Sequence, residues 1–192
     1  MRTMHLIPGL TAVAWLATAS TGVAIGTSAS ELDSAATLPA AVRQATERFQ
    51  DVNEAIAAGY QIFQGCVSGP EEGAMGVHFV NFALFDDQLD VEHPEALVYE
   101  PKRGQLQLVA AEYITPAAAW HGSHGVGVQP QLREHLLHFA PGPNRYGPDA
   151  FYELHVWAWK VNPNGTFADW NPNVSCASWR GATSIGSTHD AH

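Results

Sequence analysis

The chain is short of cysteine, of charge and, within its charge, of cations. Its 192 residues include two cysteines, Cys66 and Cys176; 15% of residues are charged, and nine are Lys or Arg. Two cysteines without C-x-x-C spacing are too few for a thiolate zinc or redox centre. Nine scattered cations against nineteen Asp and Glu leave a net charge of -10. Such a surface repels phosphate backbones and anionic lipid, which argues against a nucleic-acid partner. Long apolar runs are missing beyond the first thirty residues, so no transmembrane span is expected in the mature chain. The signatures G-x-x-x-x-G-K, H-E-x-x-H, G-x-S-x-G and S-x-x-K do not occur. G-V-G-V-Q-P, from Gly125 to Pro130, lacks the third glycine and following helix of a dinucleotide loop. D-D-Q-L-D-V-E, from Asp86 to Glu92, lacks the central glycine of a calcium loop. Hydride transfer and phosphate hydrolysis by familiar designs are therefore disfavoured.

What is present is apolar and aromatic. Hydrophobic residues make up 46% of the chain, with six Trp, five Tyr and eight Phe, enough to build one globular domain, expected over 31–181, with a flexible tail at 182–192. Residues 1–30 read as an export signal: Arg2 and His5 precede an apolar segment from Leu6 to Ala19, and small residues allow cleavage after Ala24 or Ala29. Pro8, Gly9 and Thr11 interrupt that segment, which falls short of the roughly 20 apolar residues of a spanning helix. The expected location is extracytoplasmic, periplasmic or secreted. There two cysteines favour a Cys66–Cys176 disulfide, closing a ring of about 110 residues worth on the order of 4 to 5 kcal/mol; two buried thiols are the alternative. Asn164 in N-G-T and Asn173 in N-V-S are acceptor sequences in a host that glycosylates them.

Periodicity assigns the elements. Val42, Ala45, Phe49, Val52 and Ile56 recur at spacings of three and four, predicting an amphipathic helix from Leu38 to Ala58, with Pro39 in its first turn and Gly59 as its stop. The period then changes to two. Strands are expected at Gly76–Phe82 and Tyr152–Val161, and a hairpin joins Ala96–Glu100 to Gln105–Ile114 through P-K-R-G. Between hairpin and last strand lies a long insertion, Thr115 to Ala150, rich in Gly, Pro and His. Within it Q-L-R-E-H-L-L-H-F suits about two helical turns that place Leu132, Leu136 and Phe139 inward. The fold class expected is α+β: one N-terminal amphipathic helix packed on a mainly antiparallel sheet, with a long loop insertion.

Six segments occur in order: C-V-S (Cys66–Ser68), G-A-M-G-V-H-F-V-N (Gly73–Asn81), E-A-L-V-Y-E-P (Glu95–Pro101), L-V-A-A-E-Y (Leu108–Tyr113), E-L-H-V-W-A-W (Glu153–Trp159) and W-N-P-N-V-S-C (Trp170–Cys176). Together they resemble a family of small exported bacterial proteins of no established function. The resemblance covers most of Leu38 to Cys176 and implies an exported domain rather than an activity.

Chemistry is sought where polar residues fall on apolar strand faces. His78 alternates with Val80 and Phe82, Glu112 with Leu106, Leu108 and Ala110, and His155 with Glu153, Trp157 and Trp159. Two imidazoles and one carboxylate form the donor set of a transition-metal site for zinc, copper or iron, with Glu153 or a loop histidine available to complete it. Trp157, Trp159 and Glu153 are the candidate walls of a ligand pocket. The pairs His121/His124 and His135/His138 are spaced to reach one ion. Three readings stay open: a protein binding a metal or small ligand, a metal-dependent enzyme using the same residues, and a structural or interaction domain whose buried polar groups only specify the core.

Overall fold

The computed structural model describes residues 37–69, 71–181 and 183–185. The export signal expected at 1–30 and most of the tail expected at 182–192 lie outside the described residues. The helix expected to run unbroken from Leu38 to Ala58 is divided. Helix α1 (Leu38–Thr46) continues as a 3-10 turn (Glu47–Gln50), and α2 (Val52–Ala57) follows. The division has local causes. Thr46 Oγ1 donates to the Val42 carbonyl at 2.7 Å, and Asp51 leaves the helical region to accept from the Asn53 N–H, capping α2. The break turns α2 on its axis, so Ala55 is buried and Ile56, expected inward, is 55% exposed. Gly59, at φ +95°, stops the chain as expected.

A seven-stranded sheet is built from β1 (Gln61–Ser68), β2 (Ala74–Val80), β3 (Ala96–Lys102), β4 (Gln105–Pro116), β7 (His138–Ala140), β8 (Phe151–Val156) and β9 (Thr183–Ile185). Its order is β7-β8-β4-β3-β2-β1-β9, antiparallel throughout except for the parallel β1–β9 pair. The α+β class and the β3–β4 hairpin agree with the periodicity. Strand β1 was not expected, because Gln64 and Gly65 at positive φ break its alternation with a bulge. Strand β9 falls within the segment expected to be tail.

The insertion is more ordered than its composition suggests. Helix α3 (Ala117–His124) follows β4 directly, and Q-L-R-E-H-L-L-H-F is not helical. It forms a small hairpin, β5 (Gln131–Leu132) and β6 (His135–Leu136), turning at Arg133 with φ +52°, a conformation no helix contains, and then runs into β7. Leu137 consequently points inward with Leu132, while Leu136 and Phe139, expected inward, are half-exposed.

The helices cover one face of the sheet. Leu38 and Val42 pack on Ala111, Tyr113, Leu154 and Val156; Phe49 and Ala55 pack on Val77, Phe79, Leu97 and Tyr99. The other face buries Val98, Ala110, Trp157 and Val174, and beyond them Val80, Ala96, Ile114 and Phe151. It is closed by irregular chain from 141–150 and 166–176. A disulfide joins Cys66 to Cys176, tying β1 to that closing chain. The bond is compatible with an extracytoplasmic location. Among the described residues no helix is long and apolar enough to cross a membrane.

Candidate metal centre

The second face carries the polar residues. Strand β3 lies between β2 and β4, with Val98 opposite His78 and Ala96 opposite Glu112; across the next ladder Glu112 pairs with His155 of β8. Alternating residues share a face, so His78, Glu112 and His155 rise on one side. The small Ala96 side chain lets His78 and Glu112 lean together over β3. One ligand atom from each of the three lies within 4.8 Å of the others, and all three residues are 0 to 1% exposed. His78 Nε2 stands 3.3 Å and His155 Nε2 3.9 Å from Glu112 Oε2, with the imidazole planes nearly perpendicular at 89°.

Charge around the carboxylate is unequal. Arg145 Nη2 contacts Glu112 Oε1 at 2.7 Å, and the Tyr146 hydroxyl donates to Oε2 at 3.0 Å. Burial alone would push the Glu112 carboxyl up. The Arg145 guanidinium, followed by His155 and His78, outweighs burial and holds Glu112 well below the usual carboxylate range. Glu153, 3.8 Å from Arg145, moves the other way: burial and then the neighbouring Glu112 anion raise it, so Glu153 is held protonated. Burial, reinforced by Arg145, lowers His78 well below its ordinary value. A neutral imidazole has a lone pair to offer.

The Gly76 backbone faces the His78 ring, but among the described residues neither ring nitrogen of His155 makes a well-formed hydrogen bond, although an unpaired buried polar group costs about 1 to 3 kcal/mol. Two Nε2 atoms beside one anionic oxygen are a donor set that could hold a cation. Ligand atoms about 2.1 Å from a tetrahedral ion would stand about 3.5 Å apart, close to the 3.3 and 3.9 Å that separate Glu112 Oε2 from the two Nε2 atoms.

The remaining sequence candidates are dispersed. Trp157 is buried with its ring stacked near His155, the centroids 6.3 Å apart. Trp159, expected on the same face, has crossed to the helix side. Strand β8 ends at Val156 instead of Val161, and the Ala158 N–H turns back to the Val156 carbonyl; Trp159 Nε1 then donates to Thr46 Oγ1 at 2.9 Å. Trp157 and Trp159 line a surface groove of about 680 Å³ with Arg43, Lys160 and Phe167, and His78, Glu112 and His155 are not among its lining residues. Phe82, expected beside His78, lies beyond the end of β2 in a 3-10 turn and is 51% exposed. Leu106 and Leu108, expected beside Glu112, pack with the helix-side core, because the β3–β4 register shifts between Val98 and Tyr99. His121 faces the Tyr152 hydroxyl and His124 stacks on Trp120. His135 packs on Phe167, while His138 lies on β7, so that pair shares no helix.

Three residues of the site were not singled out in the sequence: Arg145, Tyr146 and Asp169. All lie in irregular chain, where no period announces a face. One signal was available, since Arg145 is one of only nine basic residues and sits in a Gly- and Pro-rich segment. No protein-family model matches the chain, and no curated protein or solved structure matches it.

Proposed function

We propose that the chain is an exported domain that binds one transition-metal ion, zinc, copper or iron, through His78, Glu112 and His155. One observation carries the reading: three fully buried donors from separate strands converge within 4.8 Å. The six-motif resemblance to small exported bacterial proteins and the Cys66–Cys176 bond support the export half. A small ligand in the groove lined by Trp157 and Trp159, which excludes Glu153, is the alternative cargo. A metal-dependent enzyme would use the same donors and leave coordination positions open to substrate; the depth of burial favours a resident ion over turnover. A structural role is favoured by a different observation, the hydrogen bonds with which Arg145 and Tyr146 already satisfy Glu112.

Melting of untagged protein with a panel of divalent ions separates these readings. An ion present at 100 times its Kd stabilises the folded chain by about 2.7 kcal/mol. The gain must vanish in a folded His78→Ala, His155→Ala double variant. No shift with any ion would falsify metal binding and leave the structural role.

A further inference from the structure

We propose that Asp169 is the positioning residue of this site, holding His155 in the tautomer that presents Nε2 to the ion. The inference rests on the metal reading of His78, Glu112 and His155. Asp169 Oδ1 lies 3.4 Å from His155 Nδ1, the nitrogen turned away from Glu112, and both residues are buried. His138 Nδ1 approaches the same oxygen from β7 at 3.9 Å, with its ring 41% exposed. These three atoms, His155 Nδ1, Asp169 Oδ1 and His138 Nδ1, are all buried, and among the described residues none has another hydrogen-bond partner. Two ring nitrogens from separate strands thus converge on one buried carboxylate oxygen.

A neutral imidazole carries its proton on one nitrogen and its lone pair on the other. A carboxylate can only accept, so Asp169 beside Nδ1 selects the Nδ1–H form and frees the Nε2 lone pair toward His78 and Glu112. Carboxylates set behind metal-bound histidines fix ring orientation in this way.

The chain around Asp169 is built to keep it there. Trp157 Nε1 donates to the Ala168 carbonyl, and Asn162 Nδ2 donates to the carbonyls of Ala168 and Trp170, bracketing Asp169 on both sides. The same Trp157 lies with its ring nearly parallel to that of His155, at 17°. One tryptophan thus packs beside the histidine and fixes the backbone of the carboxylate that orients it. The role accounts for the aspartate in the A-D-W-N-P segment, which the three donors leave unexplained.

Two measurements decide the matter. Cobalt(II) is titrated into the untagged full chain and its Asp169→Asn variant, with affinity and visible d–d absorption as readouts and near-ultraviolet circular dichroism as the check on folding. The variant is expected to stay folded, bind cobalt about 10- to 100-fold more weakly and show an altered d–d spectrum. In a His155→Ala background the same change has no further effect, which a merely structural aspartate would not reproduce. Wild-type affinity in a folded Asp169→Asn variant overturns the inference and leaves the metal reading intact, whereas failure of the wild type to bind cobalt overturns both. Should the variant not fold, nitrogen-15 NMR of the wild-type histidines decides directly. A proton on His155 Nδ1 is expected, and one on Nε2 with Nδ1 bare overturns the proposal.

Discussion

Replacing Glu95 by glutamine should make the protein more stable as pH rises, by an amount that the surroundings of the carboxyl set. Glu95 is 2% exposed, and its Oε2 accepts the Ile114 N–H at 2.9 Å. Burial pushes its carboxyl up to about 8; the Ile114 N–H opposes that, and the anions of Asp86 and Glu112 reinforce it. The folded chain therefore keeps this proton to about pH 8, while the unfolded chain releases it near 4.5. Between those values the folded state binds more protons, so stability falls as pH rises and levels off above 8. At 1.36 kcal/mol per pH unit the full interval amounts to on the order of 5 kcal/mol. Glutamine keeps the carbonyl that accepts from Ile114 and cannot ionise. Glu95→Gln should thus match the wild type at pH 4.5 and exceed it by several kcal/mol at pH 8. Urea unfolding followed by tryptophan fluorescence, at half-unit steps of pH, gives the difference curve, in which the titrations of His78, Glu112 and Glu153 largely cancel. A flat difference between pH 4.5 and 8 refutes the reasoning.

Three further outcomes follow from the fold. Cys66→Ala with Cys176→Ala opens a ring of 110 residues; stability should fall by about 4 to 5 kcal/mol and Tm by about 10 to 20 °C, measured by calorimetry, and a loss under 1 kcal/mol counts against the chain-entropy argument. Arg145→Met strands the buried Glu112 carboxylate and should cost about 3 to 5 kcal/mol in urea unfolding, part of it recovered on adding zinc; zinc-independent unfolding contradicts the shared role of Glu112. Gly76 sits at φ +116° with an added Cβ 2.7 Å from the Tyr99 carbonyl, so Gly76→Ala should cost about 2 kcal/mol or more; a thermal melt unchanged from wild type excludes that backbone.

Residues with a period could be read, and residues without one could not. Strand β2, the β3–β4 hairpin and most of β8 were legible because alternation of two places apolar side chains on a face, and His78, Glu112 and His155 stood out as polar interruptions of it. The Leu38–Ala58 pattern was real but hid its break, since the competing hydrogen bonds of Thr46 and Asp51 leave hydrophobic spacing unchanged. Q-L-R-E-H-L-L-H-F fits helical spacing equally well, and the backbone of Arg133, not its side chain, decides against it. Arg145, Tyr146 and Asp169 reach the site from glycine- and proline-rich chain whose path depends on tertiary contacts. Half of the candidate site was therefore invisible to pattern, including the cation that holds Glu112 ionised and the carboxylate that faces His155.

The metal content of the chain is the most direct test of the central claim. Elemental analysis of untagged protein, purified without chelators, should find close to one equivalent of a single transition metal per chain, lost in the His78→Ala, His155→Ala variant. Less than a tenth of an equivalent of any transition metal, unchanged after incubation with zinc, copper and iron salts, contradicts it.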